Sequence, residues 1–230
     1  MIGRFGILLA ASALLTACGS GGTGPVIGAV IEEVGGLLPG DERVQERRNP
    51  PKPITRQDIE TANVAAVWAR LTSDPSPTLM YAASENRGQV TYVSSFQQQI
   101  TLRGSSIRAT RGLGWDLLVS WTDGVDPVAS PTPPANWPSG ITRHYEFPAD
   151  SPRGTIMNFT CRFEAGDVSE IVILERRYRG LEISEYCSGP DGEFENLHFV
   201  DTSTGFVWRS LQWVGPKMDL IDLQILEPLD

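Results

Sequence analysis

Two hydrophobic periods divide this chain. From Thr55 to Leu71 apolar side chains recur every three to four residues: Ile59, Ala62, Ala66 and Ala69 form a stripe, and Val64, Val67, Trp68 and Leu71 widen it. That spacing predicts an amphipathic helix. Thr55 stands as its N-cap with Asp58 three residues on, close to a capping box, and the helix is expected to stop near Thr72, before Asp74-Pro75-Ser76-Pro77.

Beyond that point the period falls to two. Tyr92, Phe96, Ile100 and Leu102 share one parity, and Gln97, Gln99, Thr101 and Arg103 share the other. Gly104-Ser105-Ser106 reads as a turn, after which Leu113, Trp115, Leu117, Val119 and Trp121 alternate with polar residues. Strands are expected again at 141–147, 155–163, 171–178 and 181–187, the last two joined by Arg179-Gly180. Residues 123–140 form a proline-rich loop holding Trp137. The clearest hairpin is Leu197 to Val200, a turn over Asp201 to Gly205, and a return from Phe206 to Trp213; a last strand covers about Leu220 to Leu226. Strands with one wet face indicate an antiparallel sheet. The expected fold is mainly β: an N-terminal helix, then an antiparallel meander curled into a barrel or a sandwich.

The first 53 residues do not belong to that pattern. Arg4 precedes an apolar run from Phe5 to Leu15, which is too short to span a bilayer and has the length of a signal peptide. Leu15-Thr16-Ala17-Cys18 looks like a bacterial lipobox, so residues 1–17 are expected to be removed and Cys18 to become a lipidated N-terminus. Several acyl chains on one cysteine would make the membrane a permanent partner. Gly19 occupies the place where an inner-membrane retention aspartate commonly stands, which implies the outer membrane. Residues 18–53 read as lipidated cysteine and flexible tether, opening Gly-Ser-Gly-Gly and closing Asn49-Pro50-Pro51-Lys52-Pro53. Within it the apolar stretch Val26 to Leu38 fits either a short membrane-surface helix or loose chain packed on the domain or a partner. Residues 54–230 make one domain.

Charge narrows the partners. The chain carries a net charge of −9, and removal of Arg4 leaves 18 basic against 28 acidic residues, net −10. An acidic protein gains nothing from a phosphate backbone, so nucleic acid is excluded as a partner. One of the three cysteines is assigned to lipid. Cys161 and Cys187 remain as a pair, either two buried thiols or, as an oxidising compartment favours, a disulfide. Neither sits in a metal-ligand spacing and the chain has only two histidines, so no metal site is expected.

Candidate chemistry is sparse. No nucleophile elbow, phosphate loop, zinc-protease motif or cofactor motif occurs, so no catalytic residue and no cofactor is assigned. His144 and His198 sit in strand patterns and read as structural. A carboxylate pair for glycoside cleavage has no sequence spacing, which leaves Glu146, Asp150, Glu175, Glu182, Glu185, Glu195 and Asp201 as undifferentiated candidates. Glu175-Arg176-Arg177-Tyr178-Arg179 is a basic cluster that suits a solvated face or cross-strand ion pairs, with contact to an anionic sugar or lipid headgroup as the alternative. Trp115 and Trp121 share parity with the core set and are expected inside. Trp208 and Trp213 have opposite parity on one strand, so one of them faces outward unless a bulge intervenes. Trp137, Trp208, Arg209 and Trp213 are the candidate contacts for a partner protein or a glycan.

Near the C-terminus the residues become specific. Asn196-Leu197-His198-Phe199-Val200-Asp201, Thr204-Gly205-Phe206-Val207-Trp208-Arg209-Ser210-Leu211-Gln212-Trp213-Val214-Gly215-Pro216 and Ile225-Leu226-Glu227-Pro228 resemble the YjbF/GfcB family of group 4 capsule polysaccharide lipoproteins. So do Ile100-Thr101-Leu102-Arg103-Gly104 and Thr110-Arg111-Gly112-Leu113-Gly114-Trp115-Asp116-Leu117. One departure is His198-Phe199, where the family often has Tyr-Trp. The resemblance implies a periplasm-facing outer-membrane lipoprotein that acts in exopolysaccharide or capsule production, with envelope proteins of a polysaccharide export system, the polysaccharide itself, or both as partners. It brings no catalytic residues. A non-enzymatic accessory factor is therefore the first expectation, and a polysaccharide-modifying or glycoside-cleaving enzyme using a carboxylate pair the second.

Overall fold

The computed structural model describes residues 53–73, 76–149 and 154–229. Cys18, the signal peptide, the tether to Lys52 and Asp150 lie outside the described residues.

Thr55 caps a seven-residue helix, α1 (Arg56–Ala62), with both arms of the capping box made to Asp58. Asn63 ends it in the left-handed conformation at φ 50°, its N–H returning to the Ile59 carbonyl. The helix is thus much shorter than the apolar stripe predicts. Residues Ala66–Leu71 instead form strand β1. The stripe misleads because β1 lies mid-sheet and is covered on both faces. Val67 and Ala69 point into the main core while Ala66 and Trp68 pack outside it, which removes the alternation that marks a strand.

Eleven further strands follow: β2 (Thr78–Asn86), β3 (Gln89–Ser94), β4 (Gln99–Arg103), β5 (Ser106–Arg111), β6 (Val119–Asp123), β7 (Gly140–Phe147), β8 (Thr155–Ile173), β9 (Arg176–Gly189), β10 (Gly192–Val200), β11 (Val207–Trp213) and β12 (Leu220–Glu227). They make one antiparallel sheet of 12 strands in the order β5-β4-β3-β2-β1-β12-β11-β10-β9-β8-β7-β6. The sheet curls into a nearly closed barrel. β1 pairs with β12, and the two ends of the sheet, β5 and β6, meet at a seam. The Ser120 hydroxyl donates to the Ile107 carbonyl at 2.7 Å there, and the Thr110 N–H donates to the Leu117 carbonyl at 2.9 Å.

Several elements differ from the sequence pattern. The strand expected over Leu113 to Trp121 is loop as far as Leu118, and its place is taken by β5 before that loop and β6 after it, because the Asp116 carboxylate gathers the Gly112 and Leu113 N–H groups and the Thr110 hydroxyl into a turn. β2 has no counterpart in the pattern, because Leu79 and Tyr81 pack outside the barrel and Met80 and Ala82 inside. Phe96 lies in the β3–β4 turn, 80% exposed, rather than in a strand. The hairpin between β8 and β9 turns at Leu174-Glu175, both at positive φ (43° and 70°), and not at Arg179-Gly180. Gly180 is required for another reason: a Cβ there would lie 2.5 Å from the Val200 carbonyl oxygen and 2.7 Å from the Phe199 ring.

The barrel is filled by side chains. Ile141, Arg143, Tyr145 and Phe147 alternate inward along β7. Trp213 stacks on Phe194 at 4.5 Å and meets Tyr145 and Phe159 edge-on at 5.0 and 5.4 Å. Trp115 stacks on Phe147 at 4.6 Å. Trp121 is not in the core: it lies on the outer face, stacked on His144 at 4.9 Å.

The β8–β9 hairpin outruns its neighbours. β7 pairs with β8 only as far as Arg162, whereas β9 pairs with it to Ile173. The far part of the hairpin packs Ile173 and Tyr178 against Ile59, Phe199 and Leu226 in a second apolar cluster outside the barrel. Arg56 fastens it: its guanidinium donates to the Ile173, Leu174 and Leu226 carbonyls and meets Glu227 at 3.4 Å.

Candidate functional site

The densest polar constellation lies inside the barrel. Glu185 and His198 are both 0% exposed, on adjacent strands β9 and β10. One Glu185 oxygen accepts from Arg143 Nε, and the other from Asn196 Nδ2 and His198 Nε2, each at 2.9 Å. An ionised carboxylate only accepts, so His198 carries its proton on Nε2. Asp126, from the loop after β6, receives Arg143 Nη1 and Nη2 at 3.2 and 3.3 Å and Arg108 Nη2 at 3.2 Å. Ser106 Oγ donates to it at 3.0 Å and the Val128 N–H at 3.1 Å. Two guanidinium groups and two carboxylates therefore balance, joining β5, β7, β9, β10 and the 124–139 loop across the barrel.

Burial pushes both carboxylates up, and the facing guanidinium groups outweigh it. Glu185 is held down to about 2 by Arg143 and the His198 hydrogen bond, and Asp126 is lowered by Arg143 and Arg108. Arg143 is raised by the same two carboxylates against its own burial. Burial raises the Tyr145 hydroxyl, with the Glu185 and Asp126 charges adding to the rise against Arg143. A general acid would need a carboxyl raised toward neutrality and open to a substrate; these two are saturated and enclosed. Cys161 and Cys187 face one another across β8 and β9 with Cα atoms 4.0 Å apart and are joined as a disulfide. Their sulfurs lie near Glu185, but a disulfide offers no thiolate to a metal ion.

Of the expected contact residues, the structure brings no three together. Trp213 is inside the barrel. Trp137 packs on the smaller cluster of Val128, Ile183, Val200 and Val207, its indole N–H donating to the Thr132 carbonyl at 2.7 Å and its ring edge-on to Phe163 at 5.0 Å. Trp208 is the extra residue of a β-bulge, because Val200 pairs with Val207 and Phe199 with Arg209. It lies outside, 4.3 Å from the Tyr178 ring of the overlying hairpin. Arg209 forms a two-bond pair with Asp222, both at 2.9 Å, and Arg70 meets the same carboxylate at 3.0 Å. Those bonds hold Asp222 low against its burial. His144, on the outer face, bonds Asn158 through Nδ1 at 2.6 Å and approaches Asp123 at 3.2 Å.

Sequence reading missed Arg108, Asp126, Arg143 and Asn196. A signal for two of the network's members was present: Arg143 falls between Ile141 and Tyr145, and Glu185 between Ile183 and Cys187, so each shares the parity of buried neighbours.

Two cavities are notable among the described residues. One, of about 40 Å³, opens between the starts of β2 and β12 and is lined by Met80, Ile100 and Ile221. The other, of about 360 Å³, lies beside α1 between Glu60, Arg176 and Glu227, where Arg176 reaches Glu60 at 3.2 Å.

The fold of this chain is similar to that of a solved lipoprotein. The crystal structure of the hypothetical lipoprotein YmcC from Escherichia coli (K12) matches with a TM-score of 0.65 at 17% identity, over 82% of this chain and 94% of that one. The chain belongs to the YjbF family, group 4 capsule polysaccharide lipoprotein GfcB/YjbF, whose model matches residues 29–226. Comparison with curated proteins gives no match. The matched span begins at residue 29, to the N-terminal side of the described residues. Among the described residues no helix is long and apolar enough to cross a membrane.

Proposed function

We propose that this protein is a lipid-anchored accessory factor of capsule or exopolysaccharide production and export, which acts by binding an envelope protein or the glycan rather than by catalysis. Membership of a capsule polysaccharide lipoprotein family supports the process. The observation that carries the mechanism is the state of the buried carboxylates. Glu185 and Asp126 are the two carboxylates of the barrel's polar network, and both are paired with arginine and closed off from solvent. Cys18 is the anchor in this reading, and the outer membrane, facing the periplasm, is the location.

The test is exopolysaccharide output from a null strain rescued with variants. Cys18→Ser should fail to restore it. Alanine at Glu146, Glu175 or Asp201 should restore it. A folded, anchored variant of one of these carboxylates that behaves like the null strain would establish the enzyme reading instead.

A further inference from the structure

The outer face of the barrel carries a cationic block built by three neighbouring strands, β1, β12 and β11. Arg70 lies opposite Asp222 on the β1–β12 ladder, and Trp68 lies opposite Gln224. Gln224 in turn lies opposite Arg209 of β11. Val67, Ala69, Leu223 and Ile225, the residues between, fill the barrel, so the period of two sets the side chains of β1 and β12 in this block on the outside. Arg209 joins them there through its bonds to Asp222.

Asp222 is the base of the block. Its side chain is 2% exposed, whereas those of Arg70 and Arg209 are 37% and 41% exposed. Arg209 places Nε and Nη2 on the two carboxylate oxygens, and Arg70 adds Nη2 on Oδ2. An ion pair that served only to bury Asp222 would be complete with Arg209, which already bonds both oxygens. The second guanidinium is surplus. Neither arginine meets another acidic group among the described residues, so the block keeps one positive charge on a chain of net −9. Arg70 Nε and Nη1 and Arg209 Nη1 have no acceptor among the described residues. The neighbours are unengaged as well. Gln224 and Trp68 are half-buried, and neither the Gln224 amide nor the Trp68 indole N–H makes a hydrogen bond among the described residues.

We infer that this block binds a singly charged acidic sugar, a hexuronate residue of a glycan, whose carboxylate takes the spare N–H groups of Arg70 and Arg209 and whose hydroxyl groups take the Gln224 amide and the Trp68 indole. Guanidinium forks match planar carboxylates, and one surplus charge matches a monoanion. The neighbours favour a sugar over a lipid headgroup. A sugar presents hydroxyl groups beside its charge, and Gln224 stands one strand spacing, about 4.8 Å, from the strands of both Trp68 and Arg209. None of the exposed large apolar side chains lies on β1, β11 or β12, so this face has nothing to insert into a bilayer. This inference rests on the binding reading above and names the ligand and its site.

The test is calorimetric titration of the full-length mature protein, in detergent micelles, with oligogalacturonate. The oligomer should bind, and the same oligomer with its carboxyl groups reduced to alcohols should not. Arg70→Gln leaves Asp222 both its bonds to Arg209 and should weaken binding about tenfold or more, the loss expected for one charge-assisted hydrogen bond. Gln224→Glu cancels the surplus charge without touching the ion pairs; it should also weaken binding and covers the case in which Arg70→Gln is unstable. Arg87→Gln removes an exposed arginine at the β2–β3 turn and should change nothing. Absence of oligogalacturonate binding, binding indifferent to both Arg70→Gln and Gln224→Glu, or an equal loss in Arg87→Gln would overturn the inference. So would tighter, Arg70-dependent binding of inorganic phosphate or of phosphatidylglycerol vesicles, which would give the site to free phosphate or a lipid headgroup. A dimer in sedimentation that Arg70→Gln dissolves would give it to a second copy and overturn it too. Polysaccharide output of the null strain is measured separately: normal output there refutes the role in production and leaves the binding result to stand or fall alone.

Discussion

Replacing Glu185 by glutamine is the most informative perturbation of the barrel. The wild-type carboxylate sits at about 2 rather than at its ordinary 4.5 because Arg143 and His198 face it where water is absent. A depression of that size corresponds to roughly 3 kcal/mol of folded-state stabilisation at neutral pH. The sign follows from the direction: the folded value lies below the unfolded one, so the stabilisation is complete above about 4.5 and is lost as pH falls toward 2. Glutamine keeps the shape but removes the charge, leaving Arg143 with Asp126 as its only carboxylate. Stranding one partner of a buried pair costs about 3–5 kcal/mol. Urea denaturation of the purified protein at pH 7 should show that loss as a lower midpoint with an unchanged slope. Between pH 6 and pH 3 the wild type should lose more stability than Glu185→Gln, because the variant has one fewer depressed carboxylate to protonate; Asp126 continues to titrate in both. Equal midpoints at pH 7, or parallel pH profiles, would refute the assignment of Glu185 as an ionised structural group.

Reduction, or Cys161→Ala with Cys187→Ala, should lower stability by about 3.5 kcal/mol for a closed loop of 26 residues, read by denaturation with and without reductant. Gly180→Ala should destabilise by about 1–3 kcal/mol through its clash with Val200 and Phe199, with faster hydrogen exchange confined to the β8–β9 hairpin. Cys18→Ser should abolish lipidation, and mass spectrometry of the mature N-terminus should find no acyl-modified cysteine; an unmodified N-terminus on the wild-type protein would remove the lipoprotein assignment.

The strands whose two faces differ were legible in the sequence. β7, β11 and β12 emerge with nearly their observed limits because each alternates between a packed interior and a wetter exterior, whereas only the last four residues of β10 were read. β1 and β2 did not, since α1 and the long hairpin cover their outer faces and the polar half of the pattern disappears. The turn at Leu174-Glu175 was hidden because neither residue carries a turn signature; Gly180 attracted the assignment although its role is close approach. The disulfide pairing and its inward parity were readable from Cys161 and Cys187. The ion network was not, because its members are distant in sequence and only the curl of the sheet joins Arg108 to Asp126 and Arg143.

The β1–β12 ladder pairs Ala66 with Glu227 and Leu71 with Ile221, residues near opposite ends of the domain. A chain delivered N-terminus first supplies β1 at the outset and β12 last. Until then the β12-facing side of β1 has no partner, while β2 to β5 can zip onto its other side as successive local hairpins. The final strand is therefore the closing piece of assembly, and a chain truncated after Trp213 would retain nine of its eleven antiparallel pairings in principle yet expose two edges, those of β1 and β11. Release from holding chaperones and escape from quality-control proteolysis should both coincide with the arrival of residues 220–227.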